Sequence, residues 1–159
     1  MRYQSLLILL VALPAAAQTP PKLRLPEGVR PTRYQVELTL VPTAETFSAT
    51  IDIDLELRAA TALVWLNGAD LTVGEAWLET GGRRLVARPV AGGTDFIGFQ
   101  LEAEAGPGAA RLHVAYQGKL YSKDSDGLFR LKDAGDWYLF TQFEPTDARR
   151  AFPCFDEPG

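Results

Sequence analysis

The chain has 159 residues, with 16 Lys and Arg against 20 Asp and Glu, one His and one Cys. That acidic balance, with no basic stripe, excludes a protein that tracks a phosphate backbone, so nucleic acid is not an expected partner. The single Cys154 excludes an intrachain disulfide, and its place between Pro153 and Phe155 suits a packed, inert thiol.

The chain opens as an export signal. Arg2 supplies the positive start, Leu6 to Leu13 is an apolar run, and Ala15-Ala16-Ala17 offers a small-residue cleavage site before Gln18. The twelve residues from Leu6 to Ala17 are too few to span a bilayer. The expectation is a signal peptide over 1–17, no stable membrane span, and export to the periplasm or the medium. The mature part, 18–159, has 142 residues and a net charge of −5, enough for one domain with a real core.

After a proline-rich lead (Pro20, Pro21, Pro26 and Pro31) the pattern becomes period two. Tyr34, Val36, Leu38 and Leu40 alternate with polar residues. Phe47, Ala49, Ile51, Ile53, Leu55 and Leu57 then do so over eleven positions. Such alternation predicts strands with one buried and one wet face. Further strands are predicted at Ala62–Leu66, Glu75–Glu79, Leu85–Val90, Phe96–Glu102, Arg111–Gln117, Leu128–Leu131 and Trp137–Phe143. Turn signals such as Asn67-Gly68, Gly81-Gly82 and Asp126-Gly127 separate them. Nine or so short strands without a helical pattern predict an all-β domain, an antiparallel sandwich or a saddle of curved sheets. Only Thr146 to Ala151, after Pro145, suits a helical turn. Trp65, Trp77 and Trp137 read as core.

Little else suggests chemistry. His113 lies in an alternating strand, and one His with one distant Cys makes no zinc motif of the H-E-x-x-H type. Asp52, Asp54 and Glu56 line one strand face, as solvated carboxylates do. Asp124-Ser125-Asp126-Gly127 lacks the third acid and closing Glu of a calcium loop and reads as a turn.

The exception is Thr141 to Pro158, T-Q-F-E-P-T-D-A-R-R-A-F-P-C-F-D-E-P. On a continuing strand, Gln142 and Glu144 point the same way, beside Tyr138 and Phe140. A carboxylate and a carboxamide oxygen there suit a compact ammonium donor, such as a peptide's free N-terminus. The other reading open to these residues pairs Glu144 with Arg149 or Arg150, stapling the bend.

The motif resembles one in the first domain of the aminopeptidase N family of zinc peptidases. Leu25-Pro26 through Tyr34, Gly118-Lys119-Leu120 and Asp126-Gly127-Leu128-Phe129-Arg130 resemble other segments of that domain. The resemblance implies a saddle of β sheets beside a thermolysin-like zinc domain. It implies that Glu144 and Gln142 hold the amino terminus of a peptide substrate, with zinc activating water on the following domain. It departs from the whole-family pattern in having no H-E-x-x-H, no downstream zinc-ligand Glu and no G-x-M-E-N loop. The expectation is therefore a partial N-terminal domain, incomplete at its C-terminal end and inactive by itself, whose own residues bind no metal. The alternatives are a non-catalytic protein-interaction module related to these enzymes and, ranked last, a carbohydrate-binding sandwich.

Overall fold

A computed structural model describes residues 19–157; the expected signal peptide over 1–17 lies outside them. Nine strands follow in order: β1 (Val29–Thr39), β2 (Thr46–Leu57), β3 (Thr61–Asn67), β4 (Thr72–Thr80), β5 (Arg83–Ala91), β6 (Phe96–Ala105), β7 (Gly108–Lys119), β8 (Gly127–Asp133) and β9 (Asp136–Gln142). A 3-10 turn over Ala148–Arg150 falls where the chain after Pro145 was expected to coil. The all-β reading holds, and its curved form is a single curled antiparallel sheet, a half-barrel.

Seven strands build that sheet in the order β1-β2-β7-β4-β5-β6-β3, and β8-β9 is a separate hairpin. The curl comes from β5. Its first half, Arg83 to Val86, pairs with β4, and its second half, Ala87 to Ala91, pairs with β6. One strand thus belongs to both halves of the sheet and turns the inner face onto itself.

The inner face holds the apolar set of the central strands, while the edge strand β1 leaves Tyr34 and Leu38 exposed and sets only Val29 and Val36 partly against the core. Ile51, Ile53 and Leu55 of β2 meet Leu112 and Val114 of β7, Leu78 of β4, Phe99 of β6, and Val64 and Leu66 of β3, all at most 2% exposed. Burying each such side chain contributes about 1.5–3 kcal/mol. A second, smaller cluster, Leu25, Leu63, Trp65 and Phe96, ties the proline-rich lead to β3 and β6.

The outer face carries the polar set in register. Across β1, β2, β7 and β4, Arg33, Asp54, Arg111 and Glu79 stand opposite one another with alternating sign. Arg111 Nε donates to Asp54 at 2.6 Å. In the next row His113 Nδ1 lies 2.7 Å from Asp52 and its ring stacks on Trp77 at 3.9 Å. The guanidinium of Arg84 covers Trp77, 3.5 Å from its ring centre. His113 is thus a polar-face side chain, as expected, but Trp77 is not core. Its strand places Ala76 and Leu78 inward, so period two sends Trp77 out, where a cation and an imidazole cover it. Trp137 also lies outside the core, half-buried beneath the Arg130 guanidinium. Trp65 alone of the three is buried in a core cluster.

Candidate functional site

The β8–β9 hairpin positions Gln142, and Glu144 follows it two residues on. Its register sets Phe129 opposite Phe140, Leu131 opposite Tyr138, and Gly127 opposite Gln142. Alternation then divides the hairpin into two faces. Leu128, Arg130 and Leu139 turn toward the body, with Leu128 2% exposed. Phe129, Leu131, Tyr138, Phe140 and Gln142 turn away, with Leu131, Tyr138 and Phe140 each about half exposed. The rings of Phe129 and Phe140 stack 5.6 Å apart.

Strand β9 ends at Gln142, one residue earlier than the expected Phe143. Glu144 therefore stands past the strand, and strand alternation does not set its direction. A cis peptide bond joins Glu144 to Pro145. Both Gln142 and Glu144 are exposed.

The segment after them is held from several sides. Asp147 N–H donates to Phe143 O at 2.8 Å, and Ala151 and Phe152 N–H both donate to Ala148 O. The ring of Phe143 meets Phe152 edge-on at 5.8 Å. Tyr116 sends its hydroxyl from β7 to the buried Ala151 carbonyl at 2.9 Å. Asn67, buried at the end of β3, exchanges backbone hydrogen bonds with Cys154 at 2.8 and 3.0 Å, and its side-chain oxygen accepts from Asp156 N–H. Farther on, Glu157 accepts from Leu25 N–H, joining the lead to the tail. Gly127 completes the frame. Its φ of +66° and the approach of Arg150, whose Cβ would lie 2.6 Å from an added Cβ, leave room only for glycine opposite Gln142.

The arginines do not staple the bend through Glu144. Arg149 Nε lies 3.2 Å from Asp156 and its Nη2 donates to the Asp156 carbonyl at 2.8 Å, with Asp95 3.6 Å from Nη1. Arg150 Nε donates to Asp147 at 2.9 Å, and its Nη1 to the Tyr121 hydroxyl at 3.1 Å. Among the described residues no cation lies within 4 Å of the Glu144 carboxylate. Sequence reading put the right charges on this segment but could not show that Asp147 and Asp156 take both arginines.

Cys154 is buried, and burial pushes its thiol above the ordinary range, with Asp156 adding to the effect. A thiol held protonated is a poor nucleophile. Among the described residues no group of three His, Cys, Asp or Glu side chains could hold a metal ion, so this donor set does not fit zinc. Among the same residues no helix is long and apolar enough to cross a membrane. A groove of about 720 Å³ beside the β4–β5 turn is lined by neither Gln142 nor Glu144.

Residues 30–159 match the family described as the Peptidase M1 N-terminal domain. Aminopeptidase M1 of Arabidopsis thaliana is 37% identical over 146 residues, covering 86% of this chain and 16% of that protein. Aminopeptidase 2 of Candida albicans is 31% identical over 142 residues, covering 85% of this chain and 15% of its own length. A mitochondrial aminopeptidase 2 of Saccharomyces cerevisiae is 31% identical over 152 residues, covering 89% and 16%. The chain thus spans about one sixth of the length of the relatives it matches. A curled antiparallel sheet with a separate hairpin, matched across residues 30–159, makes this chain a member of the Peptidase M1 N-terminal domain family.

Proposed function

We propose that this chain is the non-catalytic N-terminal domain of an exported aminopeptidase, and that Glu144 and Gln142 anchor the free amino terminus of its peptide substrate. The observation that carries the reading is the state of Glu144: exposed, with both neighbouring arginines engaged by other carboxylates. A carboxylate in that condition accepts an incoming ammonium without first losing a protein partner. Gln142, two residues earlier at the strand end, adds a carboxamide oxygen as a further acceptor. Holding the ammonium at a fixed place restricts cleavage to the first peptide bond.

Hydrolysis belongs to a following catalytic domain, where the family resemblance puts the zinc that polarises the scissile carbonyl; among the described residues no donor set fits that ion. The exposed hairpin face of Phe129, Leu131, Tyr138 and Phe140 supports docking against that domain, because it is apolar and continuous with Gln142. The leader over 1–17 supports export.

The test is Glu144→Gln in the longer protein that contains the catalytic domain. Loss of the charge should lower kcat/KM for free-amine substrates by about 2–4 kcal/mol, the range for removing one partner of a desolvated charge pair. Kinetics equal to those of the parent enzyme would remove Glu144 from the site.

A further inference from the structure

On the body side of the same hairpin lies an arginine whose surroundings do not match its charge. Arg130 is 7% exposed, and its side chain is nine-tenths buried. A guanidinium offers five N–H donors. Among the described residues, one hydrogen bond uses them, from Nη1 to the Thr43 carbonyl at 2.8 Å. Nε is sealed from solvent and has no hydrogen-bond partner among the described residues. The nearest carboxylate, Glu45, stands 3.6 Å from Nη2 on a side chain that is 89% exposed. The indole of Trp137 covers one side of the guanidinium, 4.6 Å from its carbon, and supplies no acceptor. A buried cation so sparsely paired is costly unless something else satisfies it.

Arg130 lines a cleft of about 370 Å³ between the start of β2, the end of β7 and the Tyr121–Asp124 loop. Lys119 and Lys123 stand at its rim with the hydroxyls of Tyr121 and Ser122, while Glu45 and Asp124 supply the opposing charge. Lys119 reaches Asp70 only at 3.6 Å, and Tyr121 is committed to Asp70 at 2.7 Å. Ser122 and Lys123 are exposed. The cleft therefore gathers two lysine ammonium groups and a hydroxyl donor around one under-used guanidinium.

We propose that this cleft is a binding site for a small oxyanion, a carboxylate or a phosphate, with Arg130 as its floor and Lys123, Ser122 and Lys119 as its rim. The bound oxyanion displaces the loosely held Glu45 and accepts from Nη2. It sits on the opposite face of the hairpin from Gln142, so it is a second site on that element.

The experiment uses the full chain, with inorganic phosphate and acetate as probes and chloride at matched ionic strength as the control. Binding is read from the Trp137 indole resonance, which lies against the Arg130 guanidinium, and from thermal unfolding. The expected result is a saturable shift with phosphate or acetate, absent with chloride. Lys123→Glu, at an exposed position, should weaken binding about tenfold, as should Arg130→Lys, which keeps the charge and loses the fork. Stronger binding of phosphate would assign the site to phosphates, and stronger binding of acetate to carboxylates. No saturable shift with either probe would overturn the proposal, as would an equal response to chloride or an unaltered affinity in Lys123→Glu.

Discussion

The hydroxyl of Tyr116, buried in β7, donates to the carbonyl of Ala151 at 2.9 Å and so fixes the turn after Glu144 to the main core. Tyr116→Phe keeps the ring, including its edge contact with Phe47 at 6.2 Å, and leaves that carbonyl unpaired. The expected cost is about 1–3 kcal/mol of stability. Urea unfolding of the two proteins measures it, and a difference near zero would show that the bond contributes nothing net.

Asn67 does the same from the other side. It is 1% exposed, its amide oxygen accepts from Asp156 N–H at 3.0 Å, and its backbone pairs with Cys154. Replacing it by Ala should cost about 1–3 kcal/mol and raise amide exchange at Asp156 more than in β2. Exchange that rose equally in both places would point instead to general destabilisation.

Gly118 lies where β7 passes Phe47. An added methyl would lie 2.4 Å from two carbons of the Phe47 ring and 3.1 Å from Leu71. Gly118→Ala should therefore destabilise by about 1–3 kcal/mol through overpacking. Thermal unfolding of the double variant with Phe47→Leu checks the cause, because a smaller side chain there should recover part of the loss.

Acid sensitivity has a direction. The Tyr121 hydroxyl, helped by Lys119 and Arg150, holds the Asp70 carboxyl below the usual carboxylate range, and Arg111 does the same for Asp54. A group with a lowered folded-state pKa stabilises fully above its unfolded value, about 3.9 for Asp, and loses that contribution as the pH falls through the folded value. Wild-type stability should therefore drop below about pH 4, and the drop should be shallower in Asp70→Asn. Asparagine also tolerates the positive φ of 56° at that position. Parallel pH curves for the two proteins would contradict this account.

The central strands were legible because they bury one face. The run Phe47 to Leu57 alternates without a break, and β2 occupies Thr46–Leu57. Strand order was not legible, because periodicity says which side chains are inside but not which strand lies beside which; nothing in β2 names β7 as its neighbour. Trp77 misled because an indole reads as core from its size, whereas its parity with Glu75 and Glu79 puts it outside. For the candidate site, the motif singled out Gln142 and Glu144 as candidates, while the release of Glu144 from Arg149 and Arg150 depends on Asp147 and Asp156 closing back on them. Arg130 gave no signal at all. In D-G-L-F-R an arginine reads as a surface residue, and its burial follows from Trp137 arriving on the partner strand.

The position of β7 between β2 and β4 has a kinetic meaning. Ile53 pairs with Leu112 across the whole of β3 to β6, so the centre of the sheet closes only after that excursion has been made. The turns joining β4 to β5, β5 to β6 and β8 to β9 bring their strands together locally, while closing β2 onto β7 bears the entropy of a long loop. Pairing β7 with β2 therefore carries a large loop-closure cost, and the order in which a nascent chain is made delays it until most of the sheet has emerged.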